Sequence, residues 1–206
     1  MYIGSNEMQI REVDHVHSIE TNVTYFTMPE ENFGAFVRRT TIANLDKDRS
    51  VHLSVLDGLA RIQPSGGKLN YLLKTMGRTL QGWAGVDNAD SSTMPFFRLS
   101  TEPSDTAAVV IEQQGHYCLS YIENKEKDFL PIVYDTSKVF GRDTSLTRPV
   151  ELYERSITDI VDGEQYGFAK TSSAFAAVKD VIIYPGESIT ISTFYGKANA
   201  ITGETN

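Results

Sequence analysis

Residues 140–145 read Phe-Gly-Arg-Asp-Thr-Ser and set a guanidinium, a carboxylate and two hydroxyls in consecutive positions after a glycine, outside any strong strand pattern. Arg142 is a fork donor, Asp143 an acceptor, and Thr144 and Ser145 both donate and accept, a set that suits polyol recognition or a contact with another domain. The same residues would equally form a surface turn in which Asp143 and Thr144 cap local backbone groups. The sequence leaves both readings open.

A second cluster is His15-Val16-His17. Alternate residues of a strand share a face, so two imidazoles there could hold a metal, but zinc wants a third or fourth ligand. Glu20 is nearby, but His52 and His116 cannot be placed against the pair from sequence, and exposed or interface histidines are the favoured reading, so no metal and no cofactor is assigned. Cys118 is the only cysteine, which excludes an internal disulfide and any multi-thiolate site and places this thiol in a core. Neither phosphate-cradling motif, G-x-G-x-x-G or G-x-x-x-x-G-K-[ST], occurs, and a G-x-S-x-G nucleophile elbow is absent. No spacing rule picks a pair of glycosidase carboxylates from 27 acidic residues. Ten Tyr, ten Phe and one Trp could build a platform on which sugar rings stack, although periodicity assigns most of them, Trp83 included, to packing.

The 27 acidic against 19 basic residues give a formal charge of −8, so nucleic acid and anionic membranes would be repelled by most of this surface. No apolar run approaches the roughly 20 residues needed to span a bilayer. Residues 1–7 lack a basic stretch followed by an apolar one, which makes a cytoplasmic location the expectation.

The elements that position these groups are mostly strands. From Glu7 to Leu56 short β-branched and aromatic runs alternate in character, as in Val23, Tyr25 and Thr27 against Thr24 and Phe26. Asn44 to Asp48 is expected to join two strands as a hairpin loop. Leu69, Leu72, Leu73, Met76, Leu80, Trp83 and Ala84 recur at spacings of three and four, which predicts a helix over Lys68 to Val86. Strands are expected again at Phe96 to Leu99, Ala107 to Ile111 and Tyr117 to Tyr121. A hairpin is expected over Val181 to Tyr195, turning at Pro185-Gly186-Glu187. Between them, residues 136–173 read as loop-rich with a short helix around Leu152 to Val161. So many strands in one sheet would split into layers, so the chain is read as all-β, a large two-sheet antiparallel β-sandwich with one inserted helix. The sandwich is assigned to residues 1–197, with 198–206 as a tail or the start of a linker.

Several ordered segments carry a family resemblance: Tyr2 to Met8, Glu20 to Glu31, Phe36 to Arg39, Leu56 to Leu59, Lys74 to Trp83 and Val139 to Leu146. Together they resemble the N-terminal β-sandwich of cellobiose-phosphorylase-like enzymes, the glycoside hydrolase family 94 type of inverting disaccharide and oligoglucan phosphorylases. The resemblance runs from about residue 2 to 196. It implies a multi-domain enzyme that cleaves a β-glucosidic bond with inorganic phosphate as co-substrate, the general acid and phosphate site lying in an (α/α)6 barrel joined through a helical linker. No residue here matches a family catalytic position, so none is expected to be catalytic, and the 206 residues are expected to be an N-terminal domain of such an enzyme.

The resemblance further implies that loops of this sandwich approach the active site and help form a homodimer. Arg142, Asp143, Thr144 and Ser145, with the loop around Pro64 to Lys68, are the candidates for substrate binding or that interface. The implied partners are a β-glucan oligosaccharide or disaccharide and the barrel of the same chain. The alternative is a stand-alone carbohydrate-binding module, which would present a solvent-facing aromatic strip.

Overall fold

The period-two alternation becomes a ladder of long strands in the structure, a computed structural model that describes residues 1–28, 34–63, 74–88, 92–102, 107–125 and 128–199. Among these residues there are eleven strands: β1 (Tyr2–Ile3), β2 (Glu7–Asp14), β3 (Ile19–Thr27), β4 (Ala35–Asn44), β5 (Val51–Ile62), β6 (Ala84–Asp87), β7 (Phe96–Leu99), β8 (Gln114–Ile122), β9 (Ile132–Asp135), β10 (Ser172–Ile183) and β11 (Ser188–Asn199). They form an eight-stranded sheet in the order β1-β2-β3-β4-β11-β8-β7-β6 and a three-stranded sheet in the order β5-β10-β9. The paired neighbours are antiparallel. The chain is therefore an all-β two-sheet sandwich.

One core lies between the sheets. Val86, Phe97, Cys118, Ile191 and Tyr195 of the large sheet meet Ile132, Tyr134, Ala174, Ala176 and Val178 of the small one. Each fully buried Ile, Val or Phe side chain contributes about 1.5 to 3 kcal/mol. Alternation makes the opposite face of the small sheet apolar too, and Val133, Phe175 and Ala177 there pack under Val139, Phe140 and Ile160. Those last three belong to two of the three short α-helices described, α1 (Ser137–Phe140), α2 (Glu151–Glu154) and α3 (Ile157–Asp162). The expected single helix around 152–161 is thus two, broken where Ser156 takes up an extended backbone and caps α3 in a reciprocal capping box with Asp159. Among the described residues no helix is long and apolar enough to cross a membrane.

Both expected hairpins are corrected. β4 and β5 belong to different sheets, as do β10 and β11, so residues 45–50 and 184–187 are arches that carry the chain across the sandwich. The two arches lie side by side and are fastened by Asn44. Its backbone exchanges hydrogen bonds with Gly186 and Glu187, while its buried side-chain amide donates to the Ile183 carbonyl at 3.0 Å and the Arg49 carbonyl at 2.8 Å. Turn chemistry at both places was legible, but a tight turn followed by a strand does not say which sheet the strand joins.

The helical stripe is also corrected. Residues 64–73 lie outside the described residues. Lys74 and Thr75 are helical, Gly77–Trp83 is a 3-10 helix, and Ala84 already opens β6. Gly77 takes a positive φ of 53°, a conformation that ends a regular α-helix before the stripe is complete. The apolar side chains still pack, with Leu80 and Leu99 buried together beside Met76, Trp83 and Ala84. Residues 107–111 are not a strand, and Val109, Val110 and Ile111 are exposed. β11 pairs through Asn199 with Gln114, and residues 200–206 lie outside the described ones.

Candidate functional site

A single extra residue near the end of β5 builds the most distinctive surface feature. Leu59 sits opposite Ala174 and Ile62 opposite Ser172, so β5 advances three residues where β10 advances two. A bulge of this kind re-aims a side chain and sharpens the local twist. Leu59 and Ile62 consequently both pack into the core, and Arg61 is turned out to solvent at the end of the sandwich. Among the described residues no hydrogen bond or ion pair engages its guanidinium.

Arg61 borders three adjoining depressions that together make a groove across this end of the fold. The first, about 370 Å³, is walled by Phe36, Tyr117 and Tyr195, with His116 and Lys197 beside them. Phe36 is 38% exposed; it stacks on Tyr25 with ring centroids 5.5 Å apart and leans on Tyr195 at 6.3 Å. The second, about 240 Å³, is floored by Leu80, Phe97 and Leu99. Gln81 lies at its edge and donates to the Thr171 hydroxyl at 2.8 Å. The third, about 430 Å³, runs from Arg61 and Lys170 to Asp143 and Thr144.

Asp135, at the end of β9, holds the third depression together. Its Oδ1 accepts from the Ser137 amide at 3.0 Å, the Ser137 hydroxyl at 2.6 Å and the Lys170 ammonium at 2.5 Å, and its Oδ2 accepts from the Tyr166 amide at 2.8 Å. Burial alone would raise the pKa of this carboxyl. The Lys170 ammonium, with the Ser137 and Tyr166 donors, outweighs it and lowers the pKa. Lys170 is therefore tied to a buried carboxylate at the groove wall, whereas Arg61 is not.

The sequence-selected loop reaches the groove in part. Asp143 and Thr144 line the third depression; Arg142 and Ser145 do not. Asp143 Oδ1 accepts from the Ser145 amide and hydroxyl at 2.9 and 2.5 Å, and its Oδ2 accepts from the Thr147 and Arg148 amides at 3.1 and 2.8 Å. These bonds, the Ser145 hydroxyl first, hold the carboxyl well below the usual carboxylate range. Asp143 thus organises its own loop, and that loop stands at the groove rim. The other candidate loop, Pro64 to Lys68, lies outside the described residues.

His15 and His17 are in a turn rather than on a strand, which corrects the premise that they share a sheet face. Asp14 folds the turn: its Oδ1 accepts from the amides of Val16 and His17, and His17 Nδ1 donates to its Oδ2 at 2.6 Å. Cys118 is fully buried, and burial pushes its thiol pKa up.

Arg61, Phe36 and Lys197 were not singled out from the sequence. The usable signal for Arg61 was local: in Leu59-Ala60-Arg61-Ile62 two apolar residues stand three apart where strict alternation requires two or four. Compared with known proteins, the sequence matches no family model and no curated relative.

Proposed function

We propose that this chain is the non-catalytic N-terminal sandwich domain of a glycoside phosphorylase, and that its groove forms the saccharide-facing wall of that enzyme. The observation that carries the proposal is the groove's chemistry: an exposed aromatic ring at Phe36, a fork donor at Arg61, and the amide and hydroxyls of Gln81, Ser137 and Thr144 along the three adjoining depressions. Aromatic faces bind the apolar side of a pyranose while such donors and acceptors bind its hydroxyls. In this reading a β-glucan oligosaccharide or disaccharide is the ligand, the (α/α)6 barrel of the same chain brings the catalytic acid and inorganic phosphate, and a homodimer and a cytoplasmic location accompany it.

The test is calorimetric titration of the sandwich with cellobiose and laminaribiose, beside steady-state phosphorolysis by the enzyme that carries it. Phe36→Ala should weaken oligosaccharide binding and raise KM with little change in kcat. Phosphorolysis by the sandwich alone would overturn the proposal.

A second reading, a stand-alone carbohydrate-binding module, draws on a different face. Phe26, Val37, Phe194 and Leu119 stand in register across four strands of the large sheet, away from the small one. Tyr121 stacks on Phe194 there at 6.0 Å with the rings 13° from parallel. Loss of glucan binding in Tyr121→Ala, with Phe36→Ala unaffected, would favour this second reading over the first.

A further inference from the structure

We infer that two copies of this chain pair through the inner face of strands β1 to β3, each supplying the layer that the other lacks. The inference deepens the homodimer of the proposed function by naming the surface that forms it, and it rests on that reading for nothing else.

The two sheets are unequal, and the excess is apolar. β5 lies over β4, joined to it by Asp57, which accepts from Arg38 and Thr40. Register carries those two residues across the large sheet: Arg38 stands in a row with Tyr25, Met8 and Ile3, and Thr40 in a row with Val23 and Ile10. Residues opposite one another on antiparallel strands share a face, so both rows face the side on which the small sheet lies. Exposure along them rises strand by strand, from Val23 at 8% on β3 to Ile10 at 40% on β2 and Ile3 at 66% on β1. The three strands therefore form a wing that runs out beyond β5, with aliphatic side chains where a second layer would sit. The other face of β2 carries Glu7, Gln9 and Arg11, and Arg11 is paired there with Glu20 of β3. A sheet wetted on both sides would not keep its aliphatic side chains to one of them.

The edges beside the wing fit the same arrangement. β5 has β10 on one side, and among the described residues no strand pairs with its other side, which looks along the wing. β1, at the wing's margin, is two residues long. Open edges of this kind invite pairing with another chain. A two-fold axis parallel to the strands, lying over β2 between the layers, exchanges both the layers and the left and right edges. It lays wing on wing and brings β1 of one copy beside β5 of the other. The absent layer must be three strands wide, apolar on one side and bounded by an edge that can stand next to β5, and the wing of a second copy has each of these properties. A saccharide would find no hydrogen-bonding side chain at Ile3, Met8, Ile10 or Val23.

Charge agrees with this choice of partner. Rotation about an axis along the strands keeps every residue at its height, so Ile10 faces its own counterpart and Ile3 comes to Tyr25. Glu12 follows Ile10 on the same face of β2, in a row with Thr21 and Ile42. The arch at that end, residues 45–50, carries the exposed Lys47 and Arg49. Across the pair, the carboxylate of one copy meets the basic arch of the other, a polar rim around an aliphatic centre.

Sedimentation velocity of the full chain over a concentration series should show a reversible dimer. Ile10→Glu sets two carboxylates in the middle of the contact and should raise the dissociation constant about a hundredfold or more. Ile10 is exposed in the single copy, and an unchanged circular dichroism spectrum would verify that the variant folds. Glu12→Lys should weaken the dimer about threefold, and adding Lys47→Glu should restore it. Cys118 is buried, so a cysteine introduced at the surface supplies the reactive thiol. A short bismaleimide, which bridges the roughly 10 Å between packed sheets, should couple Ile10→Cys to its counterpart and leave Arg11→Cys, on the opposite face, uncoupled. A chain that stays monomeric at every concentration, a dimer indifferent to Ile10→Glu, or coupling through Arg11→Cys in place of Ile10→Cys would overturn the inference. A monomer would also remove the homodimer from the proposed function and leave its groove to the sugar titrations, whereas failure of those titrations would leave the paired wings standing.

Discussion

Arg38 on β4 and Asp57 on β5 join the two sheets through the interior of the sandwich. The guanidinium Nη2 donates to Asp57 Oδ1 at 2.7 Å, and Nε lies 3.1 Å from both carboxylate oxygens. The side chains are 14% and 5% exposed. Thr40 donates its hydroxyl to Asp57 Oδ2 at 2.9 Å, and the Tyr25 hydroxyl accepts from Arg38 Nη1. Both carboxylate oxygens are thus served from the large sheet, and the pair fixes how one sheet sits over the other.

Removing one member of such a pair leaves a charge buried alone. Asp57→Ala should therefore lower unfolding stability by about 3 to 5 kcal/mol, read from the urea midpoint. The double variant Arg38→Met with Asp57→Leu should recover much of that loss, because it removes both charges and keeps volume. A single variant as stable as wild type would show that the pair is not holding the sheets together.

Asn44 performs the corresponding task at the arches. Asn44→Ala deprives two carbonyls, those of Ile183 and Arg49, of their donors, at about 1 to 3 kcal/mol for each carbonyl left buried and unpaired. Asn44→Asp is the sharper comparison, since it keeps the acceptor that bonds the Asp46 amide and replaces the donors with a buried carboxylate oxygen that faces both carbonyls. Denaturant unfolding should find Asp as damaging as Ala; an Asp variant close to wild type would place the stabilisation in the acceptor instead.

How far the sequence specified this arrangement depends on range. Alternation located most strands because side-chain period reports burial on each face, and Val23 and Tyr25 fall on one face as read. It did not report sheet membership: both long-strand connections read as hairpins and are arches, since the decision rests on contacts such as Asn44 with Ile183 at a separation of 139 residues. The helix over 68–86 failed where Gly77 adopts a positive φ. For the site, Asp143 and Thr144 were legible from composition, but Arg61 reached the groove through a bulge that exists only against β10, and Phe36 and Lys197 through strand ends that only the folded sheet brings together.

Asp143 should make its loop acid-sensitive. The folded state holds this carboxyl below its ordinary pKa, the Ser145 hydroxyl contributing most, so folding favours the ionised form. The loop is fully supported above the ordinary carboxylate range, about pH 4, and loses that support as pH falls toward the depressed folded-state value. Amide shifts of Ser145 and Arg148 followed by NMR should stay flat at neutral pH and move only in strong acid. In Asp143→Asn this titration should vanish and the same amides should exchange faster. A midpoint at the ordinary carboxylate pKa would mean that this cradle of donors does not form.

Cys118 offers a direct reading of the sandwich's opening. The thiol is fully buried in the inter-sheet core, and desolvation raises its pKa, so the thiolate that reacts with alkylating or disulfide reagents is suppressed twice, by access and by ionisation. The native protein should resist such reagents at neutral pH and become fully labelled in denaturant. Because Cys118 pairs with Tyr195 in the middle of the large sheet, its exposure requires separation of the two sheets rather than fraying of an edge. The labelling rate under native conditions should therefore rise in Asp57→Ala in proportion to that variant's loss of global stability. Rapid labelling of the native wild type, or a rate indifferent to the Arg38–Asp57 pair, would contradict the placement of this thiol in the core the pair closes.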